Sequence, residues 1–270
     1  MTRLSSPPSP SICLCPTTSS SSCGLISSAS GLRIVCLRLS LKSRSKSAKL
    51  VKNIESGDII RTPEQAAEIV SRLEAEYPLA DCTLDWGKDY ELLFSVRLAA
   101  QCTDERVNMI TPALFERYPT LEAFAEADVT EVEGYIRSCG FFHTKARDIV
   151  ACAQMLLAKH GGRVPDSMDE LLALPGVGRK TANLILGDVF HAPGAVVVDT
   201  HCIRLSNRMG FVDTKDPPKI EAALREVLPP EKSSDFCHRI VLHGRAVCTA
   251  RAPKCEACCV RHVCRFASGV

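Results

Sequence analysis

From Thr62 onward, apolar positions recur every three or four residues, the spacing that turns one face of a helix toward a core. Ala66, Ile69, Val70, Leu73 and Tyr77 make the first such face, behind a start written by Thr62, Pro63 and Gln65. Asp89 opens a second helix through Ala100, and Asp104 caps a third that runs to Tyr118 with a kink expected at Pro112. Asp128 with Glu131 caps a fourth, ending at Gly140, and Thr144 starts a long one that stops at Gly161 and Gly162. Thr200 to Met209 ends at Gly210, Pro218 opens a helix to Leu228, and Ser234 to Leu242 gives the last. Only Ala195 to Val198 reads as a strand, and a buried loop explains that run equally well. The fold class is all-α.

One stretch organises the rest: Leu174 to Leu186, LPGVGRKTANLIL. Ser167, with Glu170 three residues on, caps a short helix before it, and Leu184, Ile185 and Val189 continue a helical face after it. This is helix, glycine hairpin, helix. Gly176 and Gly178 allow backbone angles and close approach that a Cβ would forbid. The N–H groups of Val177, Gly178 and Arg179 then face an anion at the second helix's start, and a DNA phosphate is the natural ligand. A hairpin that binds nothing is the competing reading. Lys180 argues against it, because a first-turn cation is disfavoured by the helix dipole. The run VDTH brings a carboxylate, Asp199, nineteen residues later. An amine in an unfavourable field with a returning carboxylate is how a nitrogen nucleophile is prepared.

Charge sharpens the picture. The 270 residues carry a net +2, but no acid precedes Glu55, while eight Lys/Arg precede residue 53. Residues 53–270 therefore hold 25 basic against 31 acidic side chains, a net of −6. That excludes a bulk electrostatic DNA binder and requires a local basic face with oriented backbone donors. Residues 1–52 are a separate basic region rich in Ser, Pro and Cys, and their apolar patch, Gly31 to Leu41, is too short to span a membrane. An organellar transit peptide, a disordered tail and a misassigned start all fit that composition; a cytoplasmic, nucleoid-associated enzyme of bacterial style is the reading adopted.

Fifteen cysteines in such a chain point to reduced thiols or a metal site. Cys248, Cys255, Cys258 and Cys264 follow C-x6-C-x2-C-x5-C, four thiolates in seventeen residues. This suits a compact iron–sulfur cluster or a tetrahedral zinc, though zinc modules usually pair two short knuckles across a longer gap. Cys259 is an extra thiol beside the pattern. Cys82, Cys102, Cys139, Cys152, Cys202 and Cys237 read as buried small apolar residues. Arg245, Arg251, Lys254, Arg261 and Arg265 crowd the same segment and suggest a contact with a DNA backbone.

The hairpin LPGVGRKTAN, VDTH and the cysteine spacing together resemble the endonuclease III family of helix-hairpin-helix DNA glycosylase/AP lyases, over roughly residues 62–266. The resemblance implies two helical lobes with DNA in the groove between them. One spans 81–199; the other combines 53–80 with 200–270 and the cluster loop. It implies a [4Fe–4S] cluster on the four cysteines, which would order the loop whose charge clustering makes Arg251 and Lys254 the expected DNA contacts. It implies Lys180 as the Schiff-base nucleophile and Asp199 as its proton acceptor. Gln101 and the loop Gly140 to Phe142 match where the family inserts plugging side chains, although Gln101 as a helix cap and Phe141 and Phe142 as core are open alternatives. The expected activity is excision of oxidised pyrimidines from double-stranded DNA by a monomer, with strand cleavage 3′ to abasic sites by β-elimination. A monofunctional glycosylase of the adenine type, which lacks a lysine at this position, is one rival. A non-enzymatic DNA-binding or redox-sensing iron–sulfur protein is the other.

Overall fold

The computed structural model describes residues 61–269, and the expectations for residues 1–52 lie outside them. Twelve α-helices are present among the described residues and no strand. They are α1 (Pro63–Glu76), α2 (Asp89–Ala99), α3 (Asp104–Arg117), α4 (Leu121–Ala125), α5 (Val129–Ile136), α6 (Phe142–His160), α7 (Met168–Ala173), α8 (Arg179–Asp188), α9 (Thr200–Met209), α10 (Pro217–Val227), α11 (Ser233–Ala246) and α12 (Arg265–Ser268). None is long and apolar enough to cross a membrane.

The apolar side chains bury in two clusters. The first runs from Leu84 to Ala195 and is built on α2, α4, α5 and α6, with Phe94, Phe124, Leu98 and Ile136 essentially inaccessible. Tyr90, Phe94, Phe115 and Tyr118 all lie around Phe124, with ring centroids 5.0 to 6.3 Å from it. The second joins the α1 face (Ala66, Ile69, Val70, Leu73) to residues from Val196 to Cys264. Apolar packing thus divides between Ala195 and Val196. That apolar run is a buried loop, and the Val197 N–H goes to Cys237 Sγ (3.2 Å) in place of a ladder partner.

Several helix ends differ from expectation, each for a local reason. Thr103, not Asp104, caps α3 by accepting the Arg106 N–H, and α3 runs through Pro112 unbroken. Asp104 instead takes the Thr83 hydroxyl (2.7 Å) and Arg245 (3.1 Å). Asp128 does cap α5, but Glu131 pairs with Arg117 (2.7 Å), and α5 stops at Ile136, four residues before Gly140. Helix α6 begins at Phe142, not Thr144. Helix α10 begins at Pro217 and α11 extends to Ala246. Helix α4, capped by Thr120, has no counterpart in the sequence pattern, since five residues are too few to show a period.

Candidate active site

The glycine hairpin is seated on the first cluster. Gly176 has φ +74°, and a Cβ there would come within 2.9 Å of Arg97 and Asp148, whose ion pair joins α2 to α6 beneath the turn. Here glycine is needed for both angle and space. Gly178 is different: its φ is −105°, an ordinary extended angle, and a Cβ would meet only open space. Its bareness serves whatever approaches from outside. The expected trio of free amides is reduced, because the Val177 N–H closes the turn onto Leu174 O (3.2 Å). The donors that remain belong to the start of α8, whose first carbonyl partner is the Gly178 oxygen (2.9 Å to Ala182 N). The Arg179 side chain turns away to the buried Glu221 of α10, with two bonds of 2.6 and 2.9 Å, so only its backbone is left for a phosphate.

Lys180 and Asp199 line one cavity of about 320 Å³, bounded by α2, α8, α11 and the segment before α2; Gln101, Thr181, His238 and Arg245 line it too. The two residues make no ion pair with each other among the described residues. Lys180 is exposed in the first turn of α8. Asp199 caps α9, its Oδ1 accepting the Cys202 N–H at 2.7 Å. That bond fixes the carboxylate while its second oxygen is left available. Burial holds His201 below the ordinary imidazole range, despite the nearby Asp199.

Gln101 is not a helix cap. Ala100 ends α2, and Gln101 stands exposed at φ +54°, an angle uncommon for a side-chain-bearing residue. Phe141 shares this property at φ +59° and is 66 % exposed, so it is not core, whereas Phe142 packs against the first cluster. The two turns touch: a Cβ on Gly140 would lie 3.6 Å from Gln101 O, and Cys102 and Cys139 approach to 3.6 Å. Lys145, which sequence reasoning missed, ties them. Its side chain is fully buried, and Nζ donates to Leu98 O (2.8 Å) and Ala100 O (2.7 Å). Burial pushes this lysine below its ordinary range. It caps the carboxyl end of α2, where a cation is favoured, and so sets the turn that presents Gln101.

Cys248, Cys255, Cys258 and Cys264 line one small cavity below α9 and α11. Cys82 and Cys102 are only partly buried, unlike the other four outlying cysteines, and Cys259 packs beside the second cluster. Arg208 donates to Cys248 Sγ (3.3 Å), and His243 Nε2 lies 3.3 Å from Cys258 Sγ. The loop backbone is held from α9: Arg208 reaches Thr249 O (2.7 Å) and Ala250 O (2.8 Å), and Arg204 reaches Cys248 O and Gly244 O. Of the five basic residues in this segment, Arg245, Arg261 and Arg265 are paired with Asp104, Glu256 and Asp213. Arg251 and Lys254 are exposed and make no ion pair among the described residues.

Residues 94–230 match the HhH-GPD superfamily of base excision DNA repair proteins. Endonuclease III of Synechocystis is 46 % identical over 201 residues, covering 74 % of this chain and 92 % of the relative. The chain belongs to the endonuclease III family. The Escherichia coli K12 enzyme is 39 % identical over 199 residues, 74 % of this chain and 94 % of that one. Among solved structures, a non-covalent endonuclease III–DNA complex superposes with TM-score 0.72 at 39 % identity, over 77 % of this chain and 98 % of that chain. A thermostable thymine-DNA glycosylase, 23 % identical with TM-score 0.68, shares the fold. As a member of this family the chain is a DNA-binding glycosylase and AP lyase of base excision repair.

Proposed function

We propose that Lys180 is the nucleophile and Asp199 its proton acceptor in the excision of oxidised pyrimidines from double-stranded DNA, followed by cleavage of the abasic site. The observation that carries this reading is that both residues line one cavity, with Lys180 in the helix turn that directly follows the hairpin. The amine of Lys180 attacks C1′ of an extruded nucleoside, and the bond to the base breaks with its electron pair leaving on the base. Asp199 takes the proton released from the amine and offsets positive charge on the sugar; its bond to the Cys202 amide supports this by holding it in place without reorganisation. Opening of the sugar gives the Schiff base, loss of a C2′ proton expels the 3′ phosphate, and water then frees the lysine. Gln101 and Phe141, exposed on strained adjoining turns, are placed to fill the gap in the stack. Gly140 packs its turn against the Gln101 backbone, and Gly176, Gly178 and the amide of Arg179 position a phosphate. Val177 closes the hairpin.

Four thiols around one cavity suit a [4Fe–4S] cluster, in which each cysteine binds a different iron. When bound, the cluster ties the loop together, and Arg251 and Lys254 on that loop face the DNA backbone.

Borohydride reduction during turnover tests the lysine. The native chain should be trapped on DNA in high yield. Lys180→Gln should give no adduct yet still bind DNA, and Asp199→Asn should trap some 10²–10⁴-fold more slowly. Trapping of Lys180→Gln at the native yield would mean that another amine is the nucleophile. The monofunctional rival predicts no trapping by the native chain.

A further inference from the structure

The wall of the cavity lined by Lys180 also carries chemistry that the lyase steps do not use. His238 of α11 lines it, with only 15 % of its side chain exposed. Its Nε2 lies 2.9 Å from Asp188 Oδ1, at the end of α8, and Ser234 Oγ donates to the same oxygen at 3.0 Å. Asp188 is 6 % exposed, and its other oxygen is sealed from solvent without a partner among the described residues. The imidazole is the basic group in contact with this enclosed carboxyl. Burial opposes charge on His238, but Asp188, with Asp81 before α2 and Asp235 on α11, outweighs it and lifts the group above the ordinary imidazole range. Cys82 is pushed up to about 12 by burial and stays neutral, Cys237 is raised by its contact with Cys202 and by burial, and the carboxylates of Asp104 and Asp199 line the same cavity. Lys180 and Arg245 line it as well. With Nε2 committed to Asp188, the Nδ1–H of the imidazolium makes no hydrogen bond among the described residues.

We propose that His238 reads the extruded base: its Nδ1–H donates to a carbonyl oxygen of the damaged pyrimidine and offsets the negative charge that the base carries away. The electron pair of the broken C1′–N bond spreads onto the base carbonyls, the hydrogen bond strengthens as it does so, and no proton need transfer. Ring carbonyls are abundant on oxidised pyrimidines, so the group confers preference for bases rich in acceptors at the edge it meets. This rests on the excision reading above, but it acts only while a base is attached.

The test compares two substrates in one duplex context, an oxidised pyrimidine and a preformed abasic site. His238→Gln should excise the base about 10²-fold more slowly while cleaving the abasic site within a few-fold of the native chain. Failure of the native chain to cleave the abasic site would sink the lyase reading and not this one. Equal losses on both substrates, or none on the base, would overturn the proposal. The native chain also provides a readout free of substitution. Its ratio of excision to abasic cleavage should fall as pH rises through the His238 titration, since the lysine is common to both reactions. A flat ratio would count against the proposal, and Asp188→Asn should move the fall to lower pH.

Discussion

The two apolar clusters are held together differently. The first is drawn from one continuous stretch and closes on itself through aromatic packing around Phe124. The second is gathered from both ends of the described chain, and its outer edge is tied by arginines reaching backbone carbonyls. Arg61 donates to Met209 O and Val263 O, Arg208 to Thr249 O and Ala250 O, and Arg239 to Tyr77 O. A loop with few apolar residues cannot bury enough surface to order itself; arginines of α9 hold its backbone instead, and the proposed cluster would add to that hold. One half is stabilised by burial, the other partly by hydrogen bonds from arginines to its loop.

The largest effect that separates them is iron removal. The purified chain should be brown, with about four irons, and a stoichiometric zinc content without iron would refute the cluster. Stripping the iron with a chelator should strip amide-exchange protection from α9 to α12 while α2 to α6 keep theirs. Loss across the whole chain would show that the clusters are one cooperative unit. Next in size, Phe124→Ala should cost about 3–5 kcal/mol, read as a lowered Tm with the iron content unchanged. Smaller, Lys145→Met removes two charge-assisted bonds and should cost about 2–4 kcal/mol. It should also slow base excision more than cleavage of a preformed abasic site, because the Gln101 turn is no longer set. Equal slowing would confine Lys145 to a structural role.

The sequence shows helix ends that a local residue closes, by its side chain at Thr62 and Ser167 and by its left-handed backbone at Gly210. It shows the hairpin because a turn's glycines are adjacent in the chain. It does not show that Gly178 is open space or that Arg179 is bound to Glu221, since those depend on what packs alongside. Lys145 reads as one more solvated cation on a helix, and only the approach of the α2 carbonyls from 45 and 47 residues away buries it. His238 and Asp188, fifty residues apart, carry no local signature. Lys180 and Asp199 were legible through their family pattern. The cavity that joins them is a product of the fold.

The seating of the hairpin has a mechanical consequence. Gly176 is backed by the Arg97–Asp148 pair, and Arg179 is bound to Glu221, which Arg225 also holds at 2.9 Å. A turn braced on both sides does not reshape itself around a phosphate. The duplex must therefore do the bending, and the stiffness of the base steps beside a lesion enters the work of extruding it. Flexible pyrimidine–purine neighbours lower that work and rigid A-tracts raise it. Excision is therefore expected to vary with the elasticity of the steps that flank the lesion.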